Sequence, residues 1–404
     1  MLLIITGFAL AFIIIVIIGK RNLPLALFCG AIILGLFTVP PLNILRTFLY
    51  TITDMSVVLL AFVVFFIPMI GGVMRDSGQM ENIVQNMRIG KRGIMAVSPA
   101  IMGLLPMPGG ALFSAPIMER SGEGVRDDLK VAINIWYRHL LILIYPLSSD
   151  LIATTKIVGL NLYGAILYLF PTLIIAAILG QIFLLNKVRG EIIYKETFSA
   201  KNLLIPLFII LIAPVTDFIF RLTGIFPIKE LGTLIGVTIG FALSLTFSPV
   251  HINLISVFNK MKPYKFSLIL IGIFLFLNVF KISGVDRVIA AVPFPPLLLC
   301  IIGGFILGVG TGRVLLPSSI IFPIFLIANN VSLFDFALIY TSIFFGYVIS
   351  PVHPCIIVTC EYFSTELKKG LKLLIFPTLI IFFVVVAIAL LNITTSKDFL
   401  LDKF

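Results

Sequence analysis

Apolar residues occur along this chain in long blocks rather than in alternation. The blocks fall near 2–19, 23–39, 55–74, 94–118, 133–156 and 160–186. A polar link covers 186–202, and further blocks follow near 203–223, 230–248, 265–282, 296–327, 336–360 and 371–392. Apolar runs of about eighteen residues or more are long enough to cross a bilayer as helices. The pattern predicts an all-α polytopic membrane protein. Six blocks, a linker and six blocks predict two related halves, residues 1–190 and 200–404.

The interruptions match as well. The fourth block of each half is broken by Gly and Pro, at Pro106-Met107-Pro108-Gly109-Gly110 and at Gly308-Val309-Gly310-Thr311-Gly312-Arg313. The fifth block is broken at Tyr145-Pro146-Leu147-Ser148-Ser149-Asp150 and at Ser350-Pro351-Val352-His353-Pro354-Cys355. Pro146 and Pro351 are 205 residues apart, and Gly110 and Gly312 are 202 apart. The arm before the first Gly/Pro tip, residues 94–105, reaches about 18 Å as a helix, roughly half a membrane. The fourth blocks therefore read as re-entrant hairpins, at 94–118 and 296–327, that enter and leave by one face. The fifth blocks, 133–156 and 336–360, are long enough to cross with an unwound centre. Each half then has five crossings plus one hairpin. Five is odd, so the halves insert in opposite senses. Two inverted-topology repeats with broken helices meeting near the midplane are the arrangement of a secondary transporter.

Composition agrees. Sixty per cent of the residues are hydrophobic and 12% are charged, too few charges to coat a soluble globule of this length. That excludes a cytosolic enzyme, a secreted disulfide scaffold and a nucleic-acid-binding protein. The net charge of +11 is read through loop position instead. With the N-terminal face as reference, loops on the opposite face carry nineteen Lys and Arg, and loops on the N-terminal face carry eight. Basic loops stay in the cytoplasm, so both termini are expected outside the cell membrane. The first block has no basic residue before it, and Lys20 and Arg21 follow it, so it reads as a retained helix rather than a signal peptide. Cys29, Cys300, Cys355 and Cys360 form no CxxC pair and read as small hydrophobic residues, with no metal role.

The chemistry concentrates at the breaks. Proline inside a membrane helix frees carbonyls, and exposed backbone at that depth is tolerated only within protein or beside a water-filled cavity. One kink alone is ordinary. Two matching kinks followed by polar side chains favour a site. Asp150 lies half way through its crossing, where an unpaired carboxylate costs about 2.5–3.5 kcal/mol. With Ser149, and with Ser350 at the second break, it suits a coupling ion, Na⁺ or H⁺; the alternative is a structural ion pair. His353 can bind an anion, move a proton or cap a carbonyl. Arg313 can hold an oxyanion bidentately or satisfy backbone carbonyls. Substrate-binding candidates are Pro108, Gly109, Gly110, Ser148, Ser149, Gly310, Thr311, Gly312, Arg313 and His353. Arg138 and His139 are placed towards the cytoplasmic end, lining a vestibule. Asp217 and Arg221, four apart, read as a structural pair. There is no HExxH and no GxSxG, and the spacing of the three histidines supports no hydrolytic set. An ion channel or a cation exchanger without an organic substrate is the competing reading.

Two five-crossing inverted halves, each with a hairpin before a broken helix, resemble the ion transporter superfamily. It includes sodium-coupled dicarboxylate symporters, gluconate and citrate permeases and arsenite transporters. The run Leu105-Pro106-Met107-Pro108-Gly109-Gly110-Ala111-Leu112-Phe113-Ser114-Ala115-Pro116 looks like the domain-of-unknown-function 401 branch of it. The resemblance implies a small anionic substrate and a coupling ion held between hairpin tips and broken helices, and often a homodimer moving like an elevator. Carried onto this chain, Pro108–Gly110 and Ser148–Asp150 form one half-site. Gly310–Arg313 and Ser350–His353 form the other. The tips depart from the Ser-Asn-Thr of the dicarboxylate branch. The resemblance implies no cofactor beyond the coupling ion.

Overall fold

A computed structural model describes residues 2–19, 21–105, 110–192, 194, 197–285, 294–328 and 330–401, and the regular elements among them are helices. The reason is the solvent: away from water, a helix satisfies its backbone N–H and C=O groups within one segment. Six of the described helices are long and apolar enough to cross a membrane: Leu2–Gly19, Met55–Asp76, Leu162–Lys187, Ala200–Thr223, Tyr264–Ile282 and Leu367–Ile393. The chain is an all-α membrane protein.

The first half contains α1 (Leu2–Gly19), α2 (Leu23–Thr38), α3 (Pro41–Thr53), α4 (Met55–Asp76), α5 (Gln79–Asn86), α6 (Gly90–Leu104), α7 (Gly110–Ser121), α8 (Asp127–Leu140), α9 (Ser149–Val158) and α10 (Leu162–Phe183). The second contains α11 (Ala200–Thr223), α12 (Lys229–Thr246), α13 (Leu254–Met261), α14 (Tyr264–Ile282), α15 (Pro296–Thr311), α16 (Leu315–Ala328), α17 (Leu333–Val348), α18 (Pro354–Tyr362) and α19 (Leu367–Leu401). Local chemistry sets several starts. The Asn22 carboxamide accepts from the Leu25 N–H at 3.2 Å, and Asp54 accepts from Ser56 N–H at 2.9 Å. Ser332 and Asp335 form a reciprocal capping box. The short helices α3, α5 and α13 lie outside the apolar blocks, because their polar and apolar positions mix at helical spacing. Helix α13 sets Val257 and Met261 against Met69 and Val73 of α4.

The helices pack as two bundles. In one, α2 packs on α1 and α14, and α12 packs on α11 and α4. In the other, α6 packs on α7 and α8, and α15 packs on α16 and α17. Within that second bundle α7 meets α18, α16 meets α9, and α8 and α17 both meet α19. Glycines let two of these pairs approach closely. A methyl added to Gly103 of α6 would lie 2.0 Å from the Arg138 carbonyl oxygen on α8, and one on Gly308 of α15 would lie 2.5 Å from the Ile343 carbonyl oxygen on α17.

Few polar contacts join the bundles. Lys156 at the end of α9 donates to Glu230 of α12 at 2.6 Å and to Ser56 of α4 at 2.5 Å. The Tyr163 hydroxyl of α10 donates to the fully buried Asp217 of α11 at 2.7 Å. Arg221 donates to the same carboxylate at 2.9 Å and Thr233 at 2.5 Å. The Asp217–Arg221 pair is thus the structural contact that its spacing predicts.

Candidate functional site

Both broken helices open onto one cavity of about 330 Å³ between the two bundles. At the first break α8 ends at Leu140, a tight turn covers Leu141–Leu143, and α9 begins at Ser149 with Ser148 at its N-cap. At the second, α17 ends at Val348, and α18 begins at Pro354 with His353 at its N-cap. Proline suits a first helical position, because its missing N–H would have no partner there. Neither N-cap side chain bonds its helix. The first turns of α9 and α18 therefore bring N–H groups without side-chain caps, and the positive ends of two helices, to the cavity.

The hairpin termini reach the same place. Gly312 closes α15 in the left-handed region, at φ +60°, and its N–H donates to Gly308 O at 3.0 Å. A Cβ there would stand 2.9 Å from the His353 backbone nitrogen. The hairpin and the second break thus touch backbone to backbone, which only glycine allows. Arg313 follows and lines the cavity. Across from it, Arg138 donates to the carbonyl of Gly110, the first residue of α7, at 3.0 Å. A methyl on Gly110 would strike that guanidinium at 2.1 Å.

Asp150 sits in the first turn of α9, open to the cavity and only partly exposed. Among the described residues it is in no salt bridge; the Arg313 guanidinium acts on it electrostatically. The cavity therefore carries two guanidinium groups and one carboxylate. His139 approaches the Ile135 carbonyl oxygen through Nδ1 at 2.6 Å and the Tyr347 hydroxyl through Nε2 at 3.0 Å. A carbonyl can only accept, so Nδ1 carries the proton and Nε2 accepts from Tyr347. The Tyr347 ring lies 4.1 Å from that of His353, and the His139 and His353 rings are 4.8 Å apart. His353 is fully buried, and among the described residues neither of its ring nitrogens has a partner at hydrogen-bond geometry.

Of the residues expected at the site, Ser148, Ser149, Asp150, Gly312, Arg313 and His353 share this cavity. Gly110 joins it through Arg138. Gly310, Thr311 and Ser350 do not line it. The Thr311 hydroxyl donates to Leu307 O at 2.7 Å, and that of Ser350 to Val309 O at 2.6 Å. Pro108 and Gly109 lie outside the described residues. Arg138 and His139, expected to line a vestibule, line the same cavity as Asp150. Tyr347 and Cys355 were not among the expected residues. The available signals were a hydroxyl in an apolar block three residues before the break, and the 205-residue offset from Asp150 to Cys355. Among the described residues, the first bundle supplies only apolar lining: Leu23, Val64, Phe266, Ile269 and Leu270.

Residues 2–393 match the family described as protein of unknown function (DUF401). The chain belongs to this family. The match spans both broken helices and both arms of each hairpin, so the cavity of this DUF401 chain lies within the family's extent. No curated protein matches it.

Proposed function

We propose that this chain is a secondary active transporter that moves a small organic anion, coupled to Na⁺ or H⁺, across the cell membrane. The observation that carries the reading is the charge of the cavity. Two helix N-termini and two guanidiniums face it, against the single carboxylate of Asp150. Such a set stabilises an anion. In this reading Arg313, Arg138 and the backbone N–H groups of α9 and α18 hold the substrate, and Asp150 with Ser149 holds the coupling ion.

The transport part of the proposal rests on two inverted-topology repeats, each of five crossings and a hairpin. Matched packing supports them. Helix α2 meets α14 as α12 meets α4, and α7 meets α18 as α16 meets α9. Gly103 and Gly308 are 205 apart, and so are the residues they press on, Arg138 and Ile343. The two N-caps, Ser148 and His353, share that offset. The proposed orientation has both termini outside. In a background without the four native cysteines, a cysteine at Arg189 should label with an impermeant reagent from the cytoplasm only, and one at Gly224 from outside only. Labelling of both from one face rejects the repeat.

The rival reading, an ion channel or a cation exchanger, draws on the carboxylate of Asp150, which is in no salt bridge among the described residues. A panel of organic anions separates the two. A bound anion at a hundredfold excess over its Kd raises stability by about 2.7 kcal/mol. The transporter reading expects at least one anion to raise the melting temperature, and a Na⁺ or H⁺ gradient to drive that anion into proteoliposomes. Ion flux without stabilisation by any anion favours the rival.

A further inference from the structure

The second break carries a group of side chains that anion binding does not use. The ligand atoms of His139, His353 and Cys355 all lie within 4.8 Å of one another. His139 ends α8, while His353 and Cys355 flank Pro354 at the start of α18. The cluster thus joins one broken helix to the other, and all three residues line the cavity.

We propose that His139, His353 and Cys355 form a binding site for a soft monovalent metal ion of the Cu⁺ type. The proposal does not rest on the organic-anion reading. Three features support it. The first is the preparation of the ligands. The bond from His139 Nδ1–H to the Ile135 carbonyl fixes the tautomer and leaves Nε2 as the nitrogen with a lone pair, as outer hydrogen bonds do for metal-bound histidines. His353 is fully buried, and among the described residues neither ring nitrogen has a partner at hydrogen-bond geometry. A buried imidazole without a hydrogen bond is costly, and a metal bond would satisfy it.

The second feature is the donor set. Two imidazoles and one sulfur suit soft and borderline ions, while carboxylate, carbonyl and water suit Mg²⁺ and Ca²⁺. Metal–nitrogen and metal–sulfur bonds of about 2.0–2.3 Å place ligand atoms about 3.5–4 Å apart. The cluster therefore needs a contraction of about an ångström, within the reach of side-chain rotation.

The third feature is charge. Arg138 and Arg313 already make the cavity positive. A monovalent ion held by one thiolate adds no net charge, whereas Zn²⁺ with the same ligands adds one positive charge beside two guanidiniums. Cys355 also lies in the first turn of α18, whose positive end offsets a thiolate.

Tyr347 makes the test specific. Its hydroxyl occupies the lone pair of His139 Nε2 that the ion requires, so metal binding must displace it. The experiment uses the purified full-length chain in detergent, titrated anaerobically with Cu⁺ against a chromophoric chelator, with Zn²⁺ in a parallel arm. The expected result is one Cu⁺ per chain with thiolate-to-copper absorption, and one sulfur and two nitrogen neighbours by X-ray absorption. Cys355→Ser should weaken binding on the order of 100-fold and Cys360→Ser should leave it unchanged. Tyr347→Phe should tighten it. Melting temperatures confirm that each variant is folded, and the wild-type metal spectrum decides the case if Cys355→Ser is not. The proposal is overturned by a wild-type chain that retains no Cu⁺. Undiminished binding in Cys355→Ser, a metal shell without sulfur, or binding of Zn²⁺ but not Cu⁺ also overturns it.

Discussion

The two broken helices have the same backbone and opposite chemistry. Each restarts at an N-cap whose side chain leaves the helix uncapped, and each turns its first residues into the cavity. At the first restart stand Ser148, Ser149 and Asp150; 205 residues later stand His353, Pro354 and Cys355. One set is hard and anionic, made of oxygen. The other is soft, made of imidazole and sulfur. Two first turns thus border one space, and their side chains offer it different donors. Matched breaks in the backbone do not require matched side chains.

The largest effect expected from breaking this comparison comes from Asp150→Asn. The substitution keeps size and removes the buried charge, so the chain should fold with an unchanged melting temperature. Gradient-driven uptake into proteoliposomes should be lost, while Cu⁺ binding at the second break stays as in the wild type. Gradient dependence that survives removes Asp150 from coupling. Arg313→Gln should act in the other direction, weakening organic-anion binding by about 1.5–3 kcal/mol, the range of a hydrogen bond to a charged group, with the ion dependence kept. Thermal-shift titration with and without Na⁺ reads both variants.

Next in size is the packing that the breaks share. Gly103→Ala and Gly308→Ala each push a methyl into a carbonyl oxygen, at 2.0 and 2.5 Å. Overpacking of this kind costs about 1–3 kcal/mol, and the Gly103 variant should lose more in thermal unfolding. An unequal result in the reverse order would show that the two helix pairs are not equivalent. Smaller still is the tie between Lys156 and Glu230. The lysine side chain is 35% exposed and the glutamate 11%. Glu230→Gln should therefore cost between the surface and buried limits, about 1–3 kcal/mol, with no change in Cu⁺ binding. The least effect is expected at Tyr362, outside the apolar spans. Its hydroxyl donates to Glu119 at 2.5 Å and is pushed up to about 12, chiefly by that bond. A raised value means that the contribution is complete below pH 10 and fades as pH rises through about 12. Tyr362→Phe should change stability by about 0.5–1 kcal/mol near neutrality, and unfolding curves recorded from pH 7 to 12 check it.

Most of the helix plan was legible because bilayer helices are written as uninterrupted apolar runs, and the Gly/Pro breaks stand out against them. Helices α3 and α13 were not, since a mixed surface at helical spacing leaves no such run. Asp150, Arg313 and His353 were found as polar residues in apolar surroundings. That Arg138 shares the cavity with them was not legible, because it depends on α6 approaching α8 at Gly103 and on Arg138 reaching the start of α7. Cys355 reads as a small hydrophobic residue because a lone thiol in an apolar block gives no polar signal. Only the meeting of α8 with α18 sets it beside two imidazoles.

The apolar wall of the cavity has a mechanical consequence. Leu23, Val64, Phe266, Ile269 and Leu270 offer a ligand no directional bond, so every polar grip on it comes from one bundle. If the bundles slide past each other, the ligand's coordination travels unbroken with its carrier, and the face left behind behaves as a low-friction surface with little to register position. The Lys156–Glu230 and Tyr163–Asp217 contacts would then act as detents: discrete catches on an otherwise apolar track, whose release marks the start of the stroke.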